Sequence, residues 1–213
     1  MRNTIHTGLY FVTDPNLLLN KSLEETVLQA AKGGATMVQL REKDCCSKEF
    51  YNKAKRLKEI LDPLHVPLII NDRIDIALAV NADGVHIGQS DLPWELCRRI
   101  LGKNKIIGLS VESVEQAEAA NVAEVDYIAV SPVFSTNTKS DINVPLGLEG
   151  LKAIRAISKH PLVGIGGINR HNAAEVVQAG ADSLAIISAI SMSENPYRSA
   201  CELSKIIQDA KQK

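Results

Sequence analysis

The chain has 213 residues, enough for one domain with a substantial core. Its 24 Lys and Arg nearly balance 25 Asp and Glu, for a formal net charge of -1 at pH 7, so bulk charge draws neither nucleic acid nor an anionic membrane, and any bound anion must be held locally. No apolar run approaches the ~20 residues of a membrane span, the first residues lack a signal-peptide core, and Cys45, Cys46, Cys97 and Cys201 form no CxxC pair; the expectation is a cytoplasmic protein with free thiols.

Short aliphatic runs alternate with amphipathic stretches along the whole chain. Strands are expected at Leu9 to Val12, Met37 to Leu40, Leu68 to Ile70, Gly84 to His86, Ile106 to Leu109, Tyr127 to Val130, Leu162 to Ile165 and Leu184 to Ile187. Most lack strict alternation, as expected of strands buried on both faces. Helices are expected between them at Leu23 to Lys32, Lys48 to Leu61, Ile74 to Val80, Pro93 to Leu101, Val114 to Asn121, Leu148 to Ser158, Asn172 to Ala179 and Pro196 to Lys211. Ser47 reads as an N-cap, Ser113 with Gln116 as a capping box, and Pro93 and Pro196 as first-turn residues. Gly33, Gly34 and Gly180 suit helix C-caps. Eight strand-then-helix units with no linker imply a single (β/α)8 TIM barrel over residues 1–213, with an open doubly wound sheet as the alternative.

In such a barrel the residues just past each strand converge on one face. After the second strand, Gln39, Arg41 and Lys43 alternate onto one side while Leu40 and Glu42 face away. An amide and two cations suit a polyphosphate. Asn71 and Asp72 follow the third strand, and His86, Gln89 and Asp91 end the fourth. Taken singly, Asp72 reads equally as a partner of Arg73 or a helix cap, and Asp91 as a cap for the helix near Pro93. As a pair beside a cationic loop, the two carboxylates suit Mg²⁺ completed by diphosphate oxygens and waters. His86 reads as a packed, hydrogen-bonded histidine.

Ser110 ends the fifth strand, and a polar loop with Thr136, Thr138 and Lys139 follows the sixth. The stretch from there to Gly147 has no strong helix signal, so it reads as a lid. Strand seven runs into Gly164-Ile-Gly-Gly-Ile-Asn169, and strand eight into Ile187-Ser188. The loops after strands seven and eight are where barrels commonly hold a phosphate, and a second, metal-free anion site is expected there.

These segments resemble the thiamine phosphate synthase family. The resemblance runs from Leu9-Tyr-Phe-Val-Thr-Asp14 to Ser188-Ala-Ile190, through Gly34-Ala-Thr-Met-Val-Gln-Leu-Arg-Glu-Lys43, Ile70-Asn-Asp72, Gly84-Val-His-Ile-Gly-Gln-Ser-Asp91, Pro132-Val-Phe-Ser-Thr-Asn-Thr-Lys139 and Ile165-Gly-Gly-Ile168. It implies a transferase that joins 4-amino-2-methyl-5-(diphosphooxymethyl)pyrimidine to a thiazole phosphate and releases thiamine monophosphate and diphosphate. Carried over position by position, it implies that Gln39, Arg41, Lys43, Asn71 and Lys139 bind the pyrimidine diphosphate, with Ser110 near the same substrate. Asp72 and Asp91 would hold Mg²⁺. Thr136, Thr138, Gly167, Ile187 and Ser188 would bind the thiazole phosphate. Arg41, Lys43 and Lys139 are the implied catalytic cations. Two positions depart from the family pattern: Ser131 stands where many relatives have Gly, and Glu112 where relatives often have His. A thiazole tautomerase, a similar barrel that uses a histidine in that segment, is the enzymatic alternative, and a catalytically inactive phosphate-binding regulator is the other. A homo-oligomer is left open.

Overall fold

The structure, a computed structural model, describes residues 7–135 and 144–212. Eight strands form a closed barrel in chain order: β1 (Leu9–Val12), β2 (Ala35–Leu40), β3 (Leu68–Asn71), β4 (Gly84–Ile87), β5 (Ile106–Val111), β6 (Tyr127–Val130), β7 (Leu162–Ile165) and β8 (Ser183–Ile186). Every neighbouring pair is parallel, and β8 returns to β1 through Leu9 opposite Leu184 and Tyr10 opposite Ala185. Closure leaves no sheet edge exposed. Around the barrel stand α1 (Leu23–Lys32), α2 (Ser47–Leu61), α3 (Ile74–Ala79), α4 (Trp94–Leu101), α5 (Val114–Ala119), α6 (Gly147–Ile157), α7 (Ala173–Gln178), α8 (Ser188–Ser191) and α9 (Pro196–Lys211). Among the described residues no helix is long and apolar enough to cross a membrane.

The core has two layers because each strand is covered on both faces. Alternate residues such as Leu9, Phe11, Val38, Leu40, Leu68 and Ile70 pack outward against the helices. The residues between them, including Tyr10, Val12, Met37, Ile69, Ile106 and Tyr127, fill the barrel interior. This explains the strands' nearly continuous apolar runs.

The expected element ends differ from the observed ones by at most two residues, and some local chemistry is redistributed. Ser47 is the first residue of α2, not its cap; Cys46 holds the cap position without a side-chain bond, and Ser47 Oγ accepts from Arg73 Nη2 at 2.8 Å. Pro93 occupies the cap position of α4, one residue earlier than expected. Ser113 does cap α5, accepting from Gln116 N at 3.2 Å, while Gln116 Oε1 reaches back to Glu112 N at 2.8 Å. The short helix α8 has no counterpart in the expected elements, since four residues are too few to show a period.

The end of the barrel where the strands begin is held by a repeated device. Asp83, Asp126 and Asp182 each stand just before an even-numbered strand, and their Oδ2 atoms accept from Leu68 N (2.9 Å), Ile107 N (2.8 Å) and Leu162 N (2.8 Å). Each carboxylate also meets a cation, Lys58, Arg98 and Arg155 respectively. An otherwise orphaned strand N–H is thereby satisfied by a charged acceptor. This end is built for stability, and the opposite end is left for chemistry.

Candidate active site

The strand C-terminal ends open into a cavity of about 660 Å³. Gln39, Arg41, Lys43, Asn71, Asp72, Asp91, Ser110 and Ile187 all line it. The alternation expected beyond β2 is present: Gln39, Arg41 and Lys43 face the cavity, while Glu42 turns outward and pairs with Lys53 of α2 at 3.0 Å. Arg41 is steadied from the segment just after β1, its backbone N–H donating to Thr13 Oγ1 at 3.1 Å and its guanidinium lying 3.5 Å from the buried Asp14 carboxylate. Asp14, not singled out in the sequence, therefore limits the directions that Arg41 can take.

Asp72 adopts a left-handed backbone, φ +60°, a conformation that Asp tolerates better than most residues. Its N–H donates to His86 O at 2.8 Å, tying the loop after β3 to β4. Its Oδ2 accepts from Lys43 Nζ at 2.5 Å. It neither caps α3 nor pairs with Arg73, which binds Asp75 instead. Asp91 does not cap α4 either; its Oδ2 accepts from Gly88 N at 2.7 Å and closes the loop after β4. Burial raises the Asp72 carboxyl above its ordinary value; Lys43 pulls it down, and the facing Asp91 pushes it up again. Two carboxylates with a single ammonium, held on Asp72, are short of positive charge, a deficit that a divalent cation would offset. The oxygen-only donor set fits Mg²⁺. Among the described residues no group of three or more His, Cys, Asp and Glu side chains gathers as a metal site, so a cation held here takes its remaining ligands from elsewhere.

Asn71 is buried, and its Nδ2 has no partner among the described residues. A buried amide donor facing a cavity without an acceptor is costly unless a ligand or water completes it. Ser110 is buried against His86, whose ring nitrogens contact Ser110 Oγ at 2.9 Å and Tyr127 Oη at 3.0 Å. His86 is thus the packed, bonded histidine expected. Glu112 and Ser131 also line the cavity. Ser131 N donates to Val111 O at 3.0 Å, so the side chain carried there does not break the pairing of β5 with β6.

The expected second anion site is less gathered. Ile187 reaches the main cavity, whereas Ser188 lines a smaller one of about 310 Å³ with Asn169 and Arg170, and Gly167 lines neither. The glycines have a packing reason: a Cβ on Gly166 (φ +104°) would stand 2.7 Å from Pro132 Cβ, and one on Gly167 (φ +63°) would stand 2.7 Å from Ser135 O. They let the loop after β6 lie against the loop after β7. Thr136, Thr138 and Lys139 fall outside the described residues, as does most of the stretch read as a lid.

The model of the family described as thiamine monophosphate synthase matches residues 9–190, which span every strand of the barrel. The chain belongs to the thiamine monophosphate synthase family. It is 52% identical over 186 residues to the thiamine-phosphate synthase of Clostridium novyi, covering 87% of this chain and 91% of that one. Against the thiamine-phosphate synthase of Leptospira biflexa it is 50% identical over 207 residues, 95% of this chain and 98% of the relative. Among solved structures it resembles the thiamine phosphate pyrophosphorylase of Pyrococcus furiosus with a TM-score of 0.88 at 39% identity, covering 96% of both chains. As a member of this family the chain is a transferase of thiamine biosynthesis, a synthase of thiamine phosphate.

Proposed function

We propose that the chain catalyses, in the cytoplasm, the Mg²⁺-dependent condensation of 4-amino-2-methyl-5-(diphosphooxymethyl)pyrimidine with a thiazole phosphate, carboxylated or not. The products are thiamine monophosphate and diphosphate. The observation that carries this reading is the facing pair Asp72 and Asp91 with Lys43 on one of them and Arg41 in the same cavity. Bound by Asp72 and Asp91, Mg²⁺ supplies charge neutralisation for the diphosphate oxygens.

Arg41 and Lys43 add charge-assisted hydrogen bonds where negative charge grows as the C–O bond breaks, an effect that is strongest in a cavity closed to water. Asn71 offers its unpartnered N–H donor to the same substrate. The bond breaks with both electrons leaving on the diphosphate, and electron donation from the 4-amino group through the ring stabilises the remaining pyrimidine methyl cation. The thiazole nitrogen then supplies the electron pair of the new C–N bond. No protein nucleophile takes part, so the chain's contribution beyond charge is to hold the two rings with the thiazole nitrogen aimed at the methylene carbon, worth as much as about 7–11 kcal/mol in favourable systems. Lys139, Thr136, Thr138, Gly167, Ile187 and Ser188 complete the substrate contacts in this reading, Lys139 on the diphosphate and the others on the thiazole phosphate.

The expected result is that diphosphate is released only when both substrates and Mg²⁺ are present. Release from the pyrimidine diphosphate alone, or none from folded protein with all components, defeats the reading. Conversion of the thiazole phosphate alone marks a tautomerase, and phosphate binding without turnover marks a regulator.

A further inference from the structure

Five polar side chains from five strands form one hydrogen-bonded line through the barrel interior. Gln39 Nε2 of β2 donates to Tyr10 Oη of β1 at 2.7 Å. Tyr10 Oη lies 2.9 Å from Tyr127 Oη of β6, which lies 3.0 Å from His86 Nδ1 of β4. His86 Nε2 lies 2.9 Å from Ser110 Oγ of β5. Gln39, Tyr10, His86 and Ser110 line the cavity, and Tyr127 lies fully buried behind them. The rings are packed as well as bonded: Tyr10 meets Tyr127 edge-on at 6.0 Å, and His86 stacks on Tyr127 at 5.6 Å. Gly108 of β5 makes room for Tyr127, since a Cβ there would stand 2.0 Å from Tyr127 Cζ.

Each phenol owns one proton, so the line has a direction. Tyr10 oxygen accepts from Gln39, and the buried Tyr10 proton is paired only if it is given to Tyr127 oxygen, 2.9 Å away. Tyr127, enclosed by protein, places its proton on the acceptor in reach, His86 Nδ1, because a buried hydroxyl left unpaired is destabilising. Burial holds both phenols un-ionised by raising them well above the ordinary tyrosine range. The imidazole proton then sits on Nε2 and is donated to Ser110 Oγ, and the Ser110 proton remains for a ligand. At the other end, Gln39 has spent an N–H inward and keeps its carbonyl oxygen for a ligand.

We propose that Tyr10, Tyr127 and His86 are positioning residues that hold Gln39 as an acceptor and Ser110 as a donor toward the aminopyrimidine ring. The inference rests on the proposed pyrimidine diphosphate substrate. That ring presents an amino donor beside a ring-nitrogen acceptor, the complement of what the two ends of the line offer. A pyrimidine with oxygen in place of the amino group presents an acceptor to the Gln39 carbonyl, which disfavours its binding in this orientation.

Two measurements test this. In full-length protein labelled with ¹⁵N-histidine, with the His86 signals assigned by their loss in His86→Gln, the expected imidazole is protonated at Nε2 and bare at Nδ1. The opposite tautomer reverses the line and overturns the proposal, whether or not the protein turns over substrate. In steady-state kinetics, Tyr127→Phe keeps the ring and removes only the hydroxyl. The expected result is a KM for the pyrimidine diphosphate raised about tenfold, near the loss of one hydrogen bond to a ligand, with the KM for the thiazole phosphate within about twofold of the parent. Tyr10→Phe gives the same split if Tyr127→Phe does not fold. Equal changes in both KM values, or none, overturn the proposal, whereas an inactive parent enzyme counts against the functional reading alone.

Discussion

Asp91→Asn is expected to lower turnover about 100- to 1000-fold at saturating substrates, the scale on which loss of one preorganised electrostatic contact acts. The substitution keeps an amide oxygen able to accept from Gly88 N, the bond that shapes the loop after β4. It removes only the charge. Asp91→Ala is expected to lose turnover at least as severely, but it also frees that loop, so asparagine is the cleaner change. Diphosphate release measured across a Mg²⁺ titration reads the effect, and circular dichroism with a melting curve confirms the fold. Turnover equal to that of the parent at low Mg²⁺ removes Asp91 from the metal assignment. Partial recovery at high Mg²⁺ is the expected signature of a weakened site still held by Asp72.

Arg98→Ala is expected to cost stability, not chemistry, by about 3–5 kcal/mol, the scale for removing one partner of a buried ion pair. Arg98 is a largely buried residue of α4 whose guanidinium donates to Glu124 O (2.9 Å), Gly102 O (2.9 Å), Lys105 O (2.7 Å) and Asp126 Oδ2 (2.7 Å). Deleting it leaves Asp126 without the cation and three carbonyls short of a donor in one step. For a domain of this size the melting temperature falls by roughly 10 °C. Thermal and urea denaturation read the loss, and kcat at 25 °C stays near the parent value because Asp126 precedes β6, at the opposite end of the barrel from the cavity. A melting temperature unchanged within about 2 °C contradicts the role given to this network.

Much of the fold is legible in the chain order of apolar runs. Continuous runs such as Leu68-Ile69-Ile70 demand cover on both faces, and eight strand-helix units without a linker leave few ways to provide it. The outward turn of Glu42 between Arg41 and Lys43 was readable too, because an extended backbone alternates its side chains. Less legible were partners that depend on distant segments. Neither bland reading of Asp72 survives, since its carboxylate finds Lys43 across two strands instead of the adjacent Arg73. Tyr10 and Tyr127 read as ordinary strand aromatics, yet their hydroxyls meet inside the barrel 117 positions apart in sequence. The clamps at Asp83, Asp126 and Asp182 have only a single carboxylate before a strand as their signal, and loops commonly contain one.

By itself the sequence determined the architecture, the family, and which residue types stand at the ends of the strands. Those follow from local periodicity, and from motifs whose order along the chain becomes their order around the barrel. The tertiary structure alone decided which side chains share a hydrogen bond, that Asp72 faces Asp91 with Lys43 on it, that Asn71 keeps a donor without a partner among the described residues, and that Gly166 and Gly167 serve loop packing. The physical reason is that hydrogen bonds and charge pairs act over a few ångströms. Their partners are set by barrel closure and strand register, which bring together residues that no short sequence window contains.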